Sequence, residues 1–166
     1  MSERAAWSGD FLAKFSPRVQ ERLIALAEPF QFKAGQDIIG EGDSSLYLYI
    51  VKSGRVAVEM DVPSKGRCMI RTGDAGDMFS WSALVEPRLA TAAVRAMEDT
   101  EAFGIKGGVL MDECRKDCEL GFGLYRAIAE VIAGRLNATR LQFLDVLLDW
   151  LGPFQLASLV CRTFAG

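Results

Sequence analysis

The chain contains no histidine among its 166 residues. Histidine is the commonest general base and a frequent metal ligand, so its absence removes Ser-His and Cys-His nucleophile pairs and most zinc sites. No carboxylate pair stands beside a nucleophile in a glycine-framed loop either. The sequence therefore predicts a protein that is not an enzyme and that binds no metal.

Cysteine is scarce and irregularly spaced. Cys114 and Cys118 stand one helical turn apart, which suits a thiol pair or half of a metal site. The other two cysteines, Cys68 and Cys161, do not form the second pair that a zinc site or a disulfide framework needs. We expect reduced thiols in a cytoplasmic protein.

Basic clusters and long apolar runs are also missing. The 19 basic and 22 acidic residues give a net charge of −3, and no group of Lys and Arg is placed to neutralise nucleic-acid phosphates. No window reaches the ~18 uncharged apolar residues of a membrane span. Residues 1–10 lack the apolar run of a signal peptide. The sequence predicts neither direct DNA binding nor a membrane span, and it favours a cytoplasmic location.

What the chain does contain is a series of short β-type runs between Gly35 and Ala96. Single glycines separate these runs, and glycine suits chain reversals because it takes positive φ without steric cost. In one run Val56, Val58 and Met60 alternate with more polar residues, the pattern of a half-buried strand. This organisation predicts a compact β-roll or barrel. The runs are LYLYIV (46–51), RVAVEM (55–60), CMIR (68–71) and AAVRA (92–96).

Helical patterns flank the β region. Residues 17–28 predict a first helix with Ser16 as its N-cap and Pro29 at its end. A shorter helix is predicted over residues 107–114, with Val109 and Leu110 facing inward.

A long amphipathic helix is predicted from about residue 121 to 151, where apolar residues recur at steps of three or four. A small β-roll can hardly cover eight successive contacts over roughly 40 Å, at 1.5 Å per residue. The first turns are expected to pack against the chain's own β region, and for the stripe as a whole a two-stranded helical dimer is favoured over such packing. The predicted dimer interface comprises Tyr125, Ile128, Ile132, Leu136, Thr139, Phe143, Val146 and Trp150.

The last fifteen residues, 152–166, are apolar and carry Arg162 as their only charge. Packing against the same protein is favoured for this tail, with a partner-binding segment or a weak membrane contact as alternatives. The predicted organisation is an N-terminal segment (1–16), a helix plus β-roll sensor domain (17–118), a dimerisation helix (119–151) and the tail (152–166).

Six motifs in order resemble the cyclic-nucleotide-binding domain of bacterial catabolite-activator-like (Crp/Fnr-type) regulators, kinase regulatory subunits and gated channels. The resemblance covers roughly residues 17–150. It implies a mainly β fold with flanking helices: an eight-stranded jelly-roll-like β-roll followed by a long C-terminal dimerisation helix. The motifs are KAGQ (33–36), EGD (41–43), LYIVKSGRVAV (48–58), GDMF (76–79), SALVEPRLAT (82–91) and VRAMEDTEAF (94–103).

The chain departs from the family's phosphate-binding cassette, which reads Phe-Gly-Glu-Leu-Ala-Leu and then Pro-Arg-x-Ala-Thr. The glycine position is Ser80 and the glutamate position is Trp81. Because an indole accepts no hydrogen bond, the contact that the family makes with the ribose is missing. Two interpretations of Trp81 remain open: it fills the vacated pocket, which we favour, or it stacks on a planar ligand.

The arginine of the cassette has two possible positions. Arg88 lies in the sequence PRLAT, but a gapless alignment from residues 94–96 puts Ala90 in the arginine slot. We favour the gapless alignment, which removes both charged anchors. Arg88 stays a candidate, because residues 88 and 90 share a face in an extended segment. Thr139, in a segment similar to Arg-Leu-x-x-Thr of the bacterial regulators, is implied as a purine contact or as a member of the dimer stripe.

The leading hypothesis is a stand-alone regulatory module that acts through a protein partner, with orthodox cAMP or cGMP binding in doubt. One alternative is a genuine cyclic-nucleotide receptor using Arg88, Thr91 and Thr139; another is a structural subunit of a larger complex. No cofactor is expected with certainty, and the ligand class is a cyclic nucleotide or another small anion. Candidate ligand-binding residues are Phe79, Ser80, Trp81, Ser82, Ala83, Leu84, Arg88, Ala90, Thr91 and Thr139.

Overall fold

A computed structural model describes the backbone of residues 11–163 and the side chains of residues 11–147. The chain divides into two compact units, of which the first ends at Tyr125 and the second begins at Arg126. The helices are α1 (Pro17–Ala25), α2 (Gly107–Lys116) and α3 (Cys118–Thr163), with short 3-10 helices at Leu12–Lys14 and Trp81–Leu84. The strands are β1 (Glu28–Phe32), β2 (Asp37–Ile39), β3 (Tyr47–Ser53), β4 (Val56–Val62), β5 (Gly66–Gly73), β6 (Met78–Phe79), β7 (Ala93–Ala96) and β8 (Thr100–Lys106).

The strands form two antiparallel four-stranded sheets, in the orders β1-β8-β3-β6 and β2-β7-β4-β5. Apolar side chains from both sheets meet in one core between them, as in other two-sheet folds. The predicted eight-stranded β-roll with flanking helices is confirmed. The buried residues of this core are Phe32, Tyr49, Val51, Val56, Phe79, Val94, Ala96 and Ala102.

The turn between β3 and β4 shows why glycine punctuates the strands. Gly54 has φ +86, a left-handed conformation that side chains disfavour. A Cβ there would also lie 2.6 Å from Thr100 Oγ1 and 2.7 Å from the carbonyl oxygen of Asp99. Both the backbone angle and the close approach of the β8 end require glycine, as the spacing predicted.

Helix α1 is shorter than residues 17–28, the range predicted from sequence. It ends at Ala25, and Pro29 lies in β1, paired with Phe103 of β8. Because β1 is an edge strand, the missing N–H of Pro29 breaks no inner ladder. Ser16 occupies the N-cap position, as predicted, but its side chain makes no capping hydrogen bond.

Strand β4 departs from simple alternation. Val56 is fully buried as predicted, but Ala57 and Glu59, which were placed on the polar face, are 1% and 3% exposed, and Met60 is 39% exposed. The β4–β5 register shifts between Val58 and Glu59, and Arg95 of neighbouring β7, which is paired with Ala57 in the sheet, extends its guanidinium to Glu59. Long charged side chains can bury a sheet face in this way while their heads stay in water.

Helices α2 and α3 differ from their predicted inner faces and ends. Leu110 of α2 is fully buried, but Val109 is 44% exposed, because adjacent positions on a helix point about 100° apart. The backbone of α3 stays helical past residue 151, where the sequence placed its end. The predicted domain boundaries stay predictions. Among the described helices, none is both long and apolar enough to cross a membrane.

Candidate functional site

Residues 79–91, called the cassette below, connect β6 to β7. Its first residue, Phe79, is buried, and its ring stacks on Tyr49 of β3 with centroids 5.0 Å apart and planes at 14°. The core between the two sheets therefore fixes where the cassette begins.

Tyr49 belongs to a group of aromatic rings inside the roll. The Phe30 ring packs edge-on against Tyr49 at a centroid distance of 5.3 Å, directly over Gly104 of β8. A Cβ at Gly104 would lie 2.6 Å from the Phe30 ring, so glycine makes room for it. Burial raises the pKa of Tyr49 to about 12, which keeps its phenol neutral. The sequence pattern did not identify this group, although its rings stand at alternate positions of β1 and β3.

Ser80 adopts a left-handed backbone, with φ 61 and ψ 40, at the position where the family has glycine. Its hydroxyl oxygen lies 2.8 Å from that of Ser45, which is fully buried in the loop between β2 and β3. This hydroxyl pair fastens the cassette to that loop. Sequence reasoning missed Ser45, because no local pattern links residues that are 35 positions apart.

The 3-10 helix Trp81–Leu84 lies against the start of α2. Ser82, Ala83 and Leu84 are buried, whereas Trp81 is half-buried. The Ala83 carbonyl sits so close to Gly107 that a Cβ there would be 2.2 Å from it. The Ala83 N–H already donates to the Ser80 carbonyl at 3.2 Å, which leaves it unavailable to an anion.

Arg88 closes a tight turn in which its N–H donates to the Val85 carbonyl at 2.9 Å across a cis Glu86–Pro87 peptide. Its Nε lies 3.0 Å from Glu86 Oε1, within ion-pair distance although not aligned as a hydrogen bond. The guanidinium therefore faces a carboxylate two residues away. The φ of Arg88 is +59, so the strand alternation that predicted a shared face for residues 88 and 90 does not apply to it.

Ala90 is held by backbone pairing with the loop between β2 and β3. Its N–H donates to the Asp43 carbonyl and its carbonyl accepts from Gly42 N–H, both at 2.8 Å. Its methyl group is 6% exposed, whereas Thr91 lies on the surface. The gapless arginine slot thus contains a buried methyl group and no charge.

Thr139 and the predicted dimer stripe lie on α3, where most of the stripe belongs to the second unit. The Thr139 hydroxyl donates to the Arg135 carbonyl at 3.0 Å, within the same helix. Ile128 is buried, but Leu136, Phe143 and Val146 are 49%, 62% and 65% exposed. Tyr125 is also exposed, Ile132 is half-buried, and the Trp150 side chain lies outside the described residues. The dimer interface and the purine contact stay predictions.

No candidate metal site is found in the part of the chain whose side chains are described. Within residues 11–147, no group of three or more Cys, Asp or Glu side chains is arranged to hold a metal ion.

Comparisons with known proteins agree on one fold. A family model described as "Cyclic nucleotide-binding domain" matches residues 29–117. A cyclic nucleotide-binding domain from Methylobacillus flagellatus is 20% identical, with a TM-score of 0.73 over 79% of this chain and 74% of that one. The N-terminal domain of a transcriptional regulator from Streptomyces coelicolor is 21% identical, with a TM-score of 0.67 over 81% and 94%.

The catabolite activator protein of Thermus thermophilus is 21% identical, with a TM-score of 0.70, and this chain spans 62% of its length. A search of curated proteins gives no match. Domains of this family are generally regulatory rather than catalytic. Because the family model covers more than half of the sequence, the chain belongs to the cyclic nucleotide-binding domain family.

Proposed function

We propose that this protein is a cytoplasmic regulatory module that acts through protein partners and whose cassette binds cyclic nucleotides weakly or not at all. One observation carries the proposal: Arg88, the only arginine of the cassette, is ion-paired with Glu86. A cyclic phosphate would compete with this carboxylate for the guanidinium, which is its charged partner.

Two neighbouring positions support the same conclusion. Trp81 stands where the family has the glutamate that accepts from the ribose, and an indole donates but does not accept. Ala90, in the gapless arginine slot, contributes only a buried methyl group. A nucleotide therefore loses two of its charged or polar anchors, each of which is worth about 1.5–3 kcal/mol when charged.

We assign the regulatory output of the module to helix α3. Two copies of the chain associate through this helix in the proposed homodimer. Exposed apolar side chains at Leu136, Phe143 and Val146 follow one another at the spacing of a helical stripe. No DNA-binding unit is evident among the described residues 11–163. A ligand or partner would act by binding one arrangement of the helices better than another.

The test is calorimetric titration of the purified protein with cAMP, with cGMP as the comparison. No heat of binding from a folded protein is the expected result. Micromolar or tighter binding of cAMP would refute the proposal that the site is degenerate. The matched variants are Arg88→Ala and Arg115→Ala, because Arg115 forms a comparable exposed pair within α2, away from the cassette.

A genuine cyclic-nucleotide receptor is the second candidate. This candidate is favoured by the partial burial of Arg88 in the cassette, where only 39% of its side chain is exposed to solvent. PfPKA-R, which shares the fold at a TM-score of 0.58, was solved bound to cAMP. This candidate requires Arg88→Ala to abolish nucleotide affinity while Arg115→Ala leaves it unchanged.

A further inference from the structure

A cluster of four polar side chains, called the clasp below, joins the N-terminal ends of α1 and α3. The Ser16 hydroxyl donates to Glu119 Oε1 at 2.7 Å. The two terminal nitrogens of Arg18 bind different carboxylates: one donates to Glu119 Oε2 at 2.5 Å and the other to Asp117 Oδ2 at 2.6 Å. The clasp thus connects residues about a hundred positions apart in the sequence and lies far from the cassette in the chain.

Asp117 gives the clasp its position in the fold, because it is the single residue between α2 and α3. Its backbone is extended, with φ −125 and ψ 101, so the two helices meet there at an elbow. Its Oδ1 accepts from the N–H groups of Glu119 and Leu120 at 3.1 and 3.2 Å and so caps α3. One carboxylate therefore starts α3 with one oxygen and holds α1 with the other.

A second contact joins α1 to the other side of the elbow. Arg22 of α1 is ion-paired with Glu113 of α2, which also accepts from Lys116 at 3.0 Å. Beneath these charges Leu23 of α1 and Leu120 of α3 are fully buried. Helix α1 therefore contacts both helices of the elbow: Arg22 contacts α2 and Arg18 contacts α3.

The Ser16 hydroxyl belongs to the clasp rather than to the cap of its own helix. It occupies the N-cap position of α1, yet its hydroxyl makes no bond to an N–H of that helix and instead donates to Glu119. If Glu119 moved away, the same hydroxyl could rotate to cap its own helix, a contact commonly worth about 1 kcal/mol in other proteins. The open arrangement therefore has a compensating interaction ready.

We propose that the clasp of Ser16, Arg18, Asp117 and Glu119 is a releasable latch that holds the first turns of α3 at the elbow, and that its opening is how this module changes the direction of those turns. The inference rests on the proposed regulatory function. The clasp side chains of Arg18 and Glu119 are 64% and 53% exposed, and pairs in such positions are individually weak and screened by salt. Weak pairs suit a latch that a ligand or partner must be able to open.

Hydrogen–deuterium exchange of the full-length protein without any ligand tests the latch. Arg18→Ala is expected to speed exchange of the amides from Asp117 to Tyr125 by roughly two- to fivefold. Exchange in β3 and β8 is expected to stay unchanged. The matched control is Arg115→Ala, which removes a guanidinium that is 70% exposed and pairs only within α2.

Equal exchange at the elbow in the Arg18→Ala and Arg115→Ala proteins overturns the proposal. If Arg18→Ala instead speeds exchange throughout the β-roll, the Glu119→Gln variant is the deciding test. It keeps a hydrogen-bond acceptor for Ser16 and removes only the negative charge that pairs with Arg18. Faster exchange confined to residues 117–125 in that variant supports the latch, and unchanged exchange refutes it. The exchange experiment contains no nucleotide, so its result does not depend on whether cAMP gives a heat of binding in the titration. The latch and the proposed function can therefore fail separately.

Discussion

Glu59 on β4 has only 5% of its side chain exposed, and its Oε1 accepts a 2.6 Å hydrogen bond from Arg95 on β7. Arg67 of β5 is the next cation, 3.7 Å from the other oxygen, which has no hydrogen bond. A buried carboxylate is stable only while its charge is matched, because removing one partner leaves an uncompensated ion. Arg95 therefore has a structural role although its own side chain is half exposed.

Arg95→Ala is expected to lower the free energy of unfolding by about 2 kcal/mol, since Glu59 then keeps only the more distant Arg67. The value is below that for a fully buried pair because solvent reaches Arg95. Urea denaturation measures the change, and Arg115→Ala is the control, with an expected loss under ~1 kcal/mol. The double variant Arg95→Ala/Glu59→Gln should recover part of the loss; a double variant as unstable as the single one would contradict the assignment.

Gly107→Ala is expected to destabilise the protein by about 2–3 kcal/mol and to displace the cassette. The reason is steric: the new Cβ would lie 2.2 Å from the Ala83 carbonyl oxygen, which is backbone and cannot rotate away. The adjacent Gly108→Ala meets nothing within 4 Å and provides the control. It should be neutral or stabilising by up to ~1 kcal/mol, because alanine is the better helix former. Similar melting temperatures for both variants would show that α2 does not press on the cassette.

Glu86→Gln tests the internal pairing of the cassette. Neutralising Glu86 removes the carboxylate that faces the Arg88 guanidinium 3.0 Å away, and anion affinity should rise by about two- to fivefold. Titration with cAMP and with inorganic phosphate measures the gain. The double variant Glu86→Gln/Arg88→Ala should lose it, which separates a freed arginine from a general change in charge.

These cases also show what the sequence could predict. Gly54 and Val56 follow from local rules, because a turn with positive φ needs glycine and strand alternation needs only neighbouring residues. The burial of Glu59 does not follow, because it depends on Arg95, which lies 36 positions away and becomes a neighbour only through the β4–β7 register.

The candidate site was harder to predict for the same reason. Motifs locate its residues, and the amino-acid sequence alone identifies Ser80 and Trp81 as departures from the family pattern. The side chain of Arg88, however, is directed by a left-handed turn and by Glu86, and an alignment contains neither. Likewise, Ser16 was predicted as an N-cap from its local sequence, but Glu119, 103 positions away, takes its hydroxyl.

Acid should weaken the clasp. The Leu120 N–H lowers the pKa of Asp117 and the Ser16 hydroxyl lowers that of Glu119, and Arg18 lowers both further, so that both lie below their ordinary 3.8 and 4.5. Carboxylates with lowered pKa values add stability at neutral pH, and this is lost as the pH falls through the folded-state values. The melting temperatures of wild type and Arg18→Ala should therefore differ at pH 7, and the difference should begin to shrink as the pH falls below the ordinary pKa values of the two carboxyls and go on shrinking through their lowered folded-state values. A difference that did not shrink at all as the pH fell below these ordinary values would show that Arg18 acts through packing.

Phe143→Lys tests the homodimer through α3. Phe143 is 62% exposed on the predicted stripe, and a lysine there would place two like charges in the seam of a two-helix interface. Analytical ultracentrifugation should then show a dimer for wild type and a monomer for the variant, with unchanged secondary structure by circular dichroism. Gln142→Lys is the control, because residue 142 is an exposed neighbour that lies about 100° around the helix and off the stripe. Dissociation by Gln142→Lys as well would place the contact on another face of α3, and a wild-type monomer would remove the dimer from the proposed function.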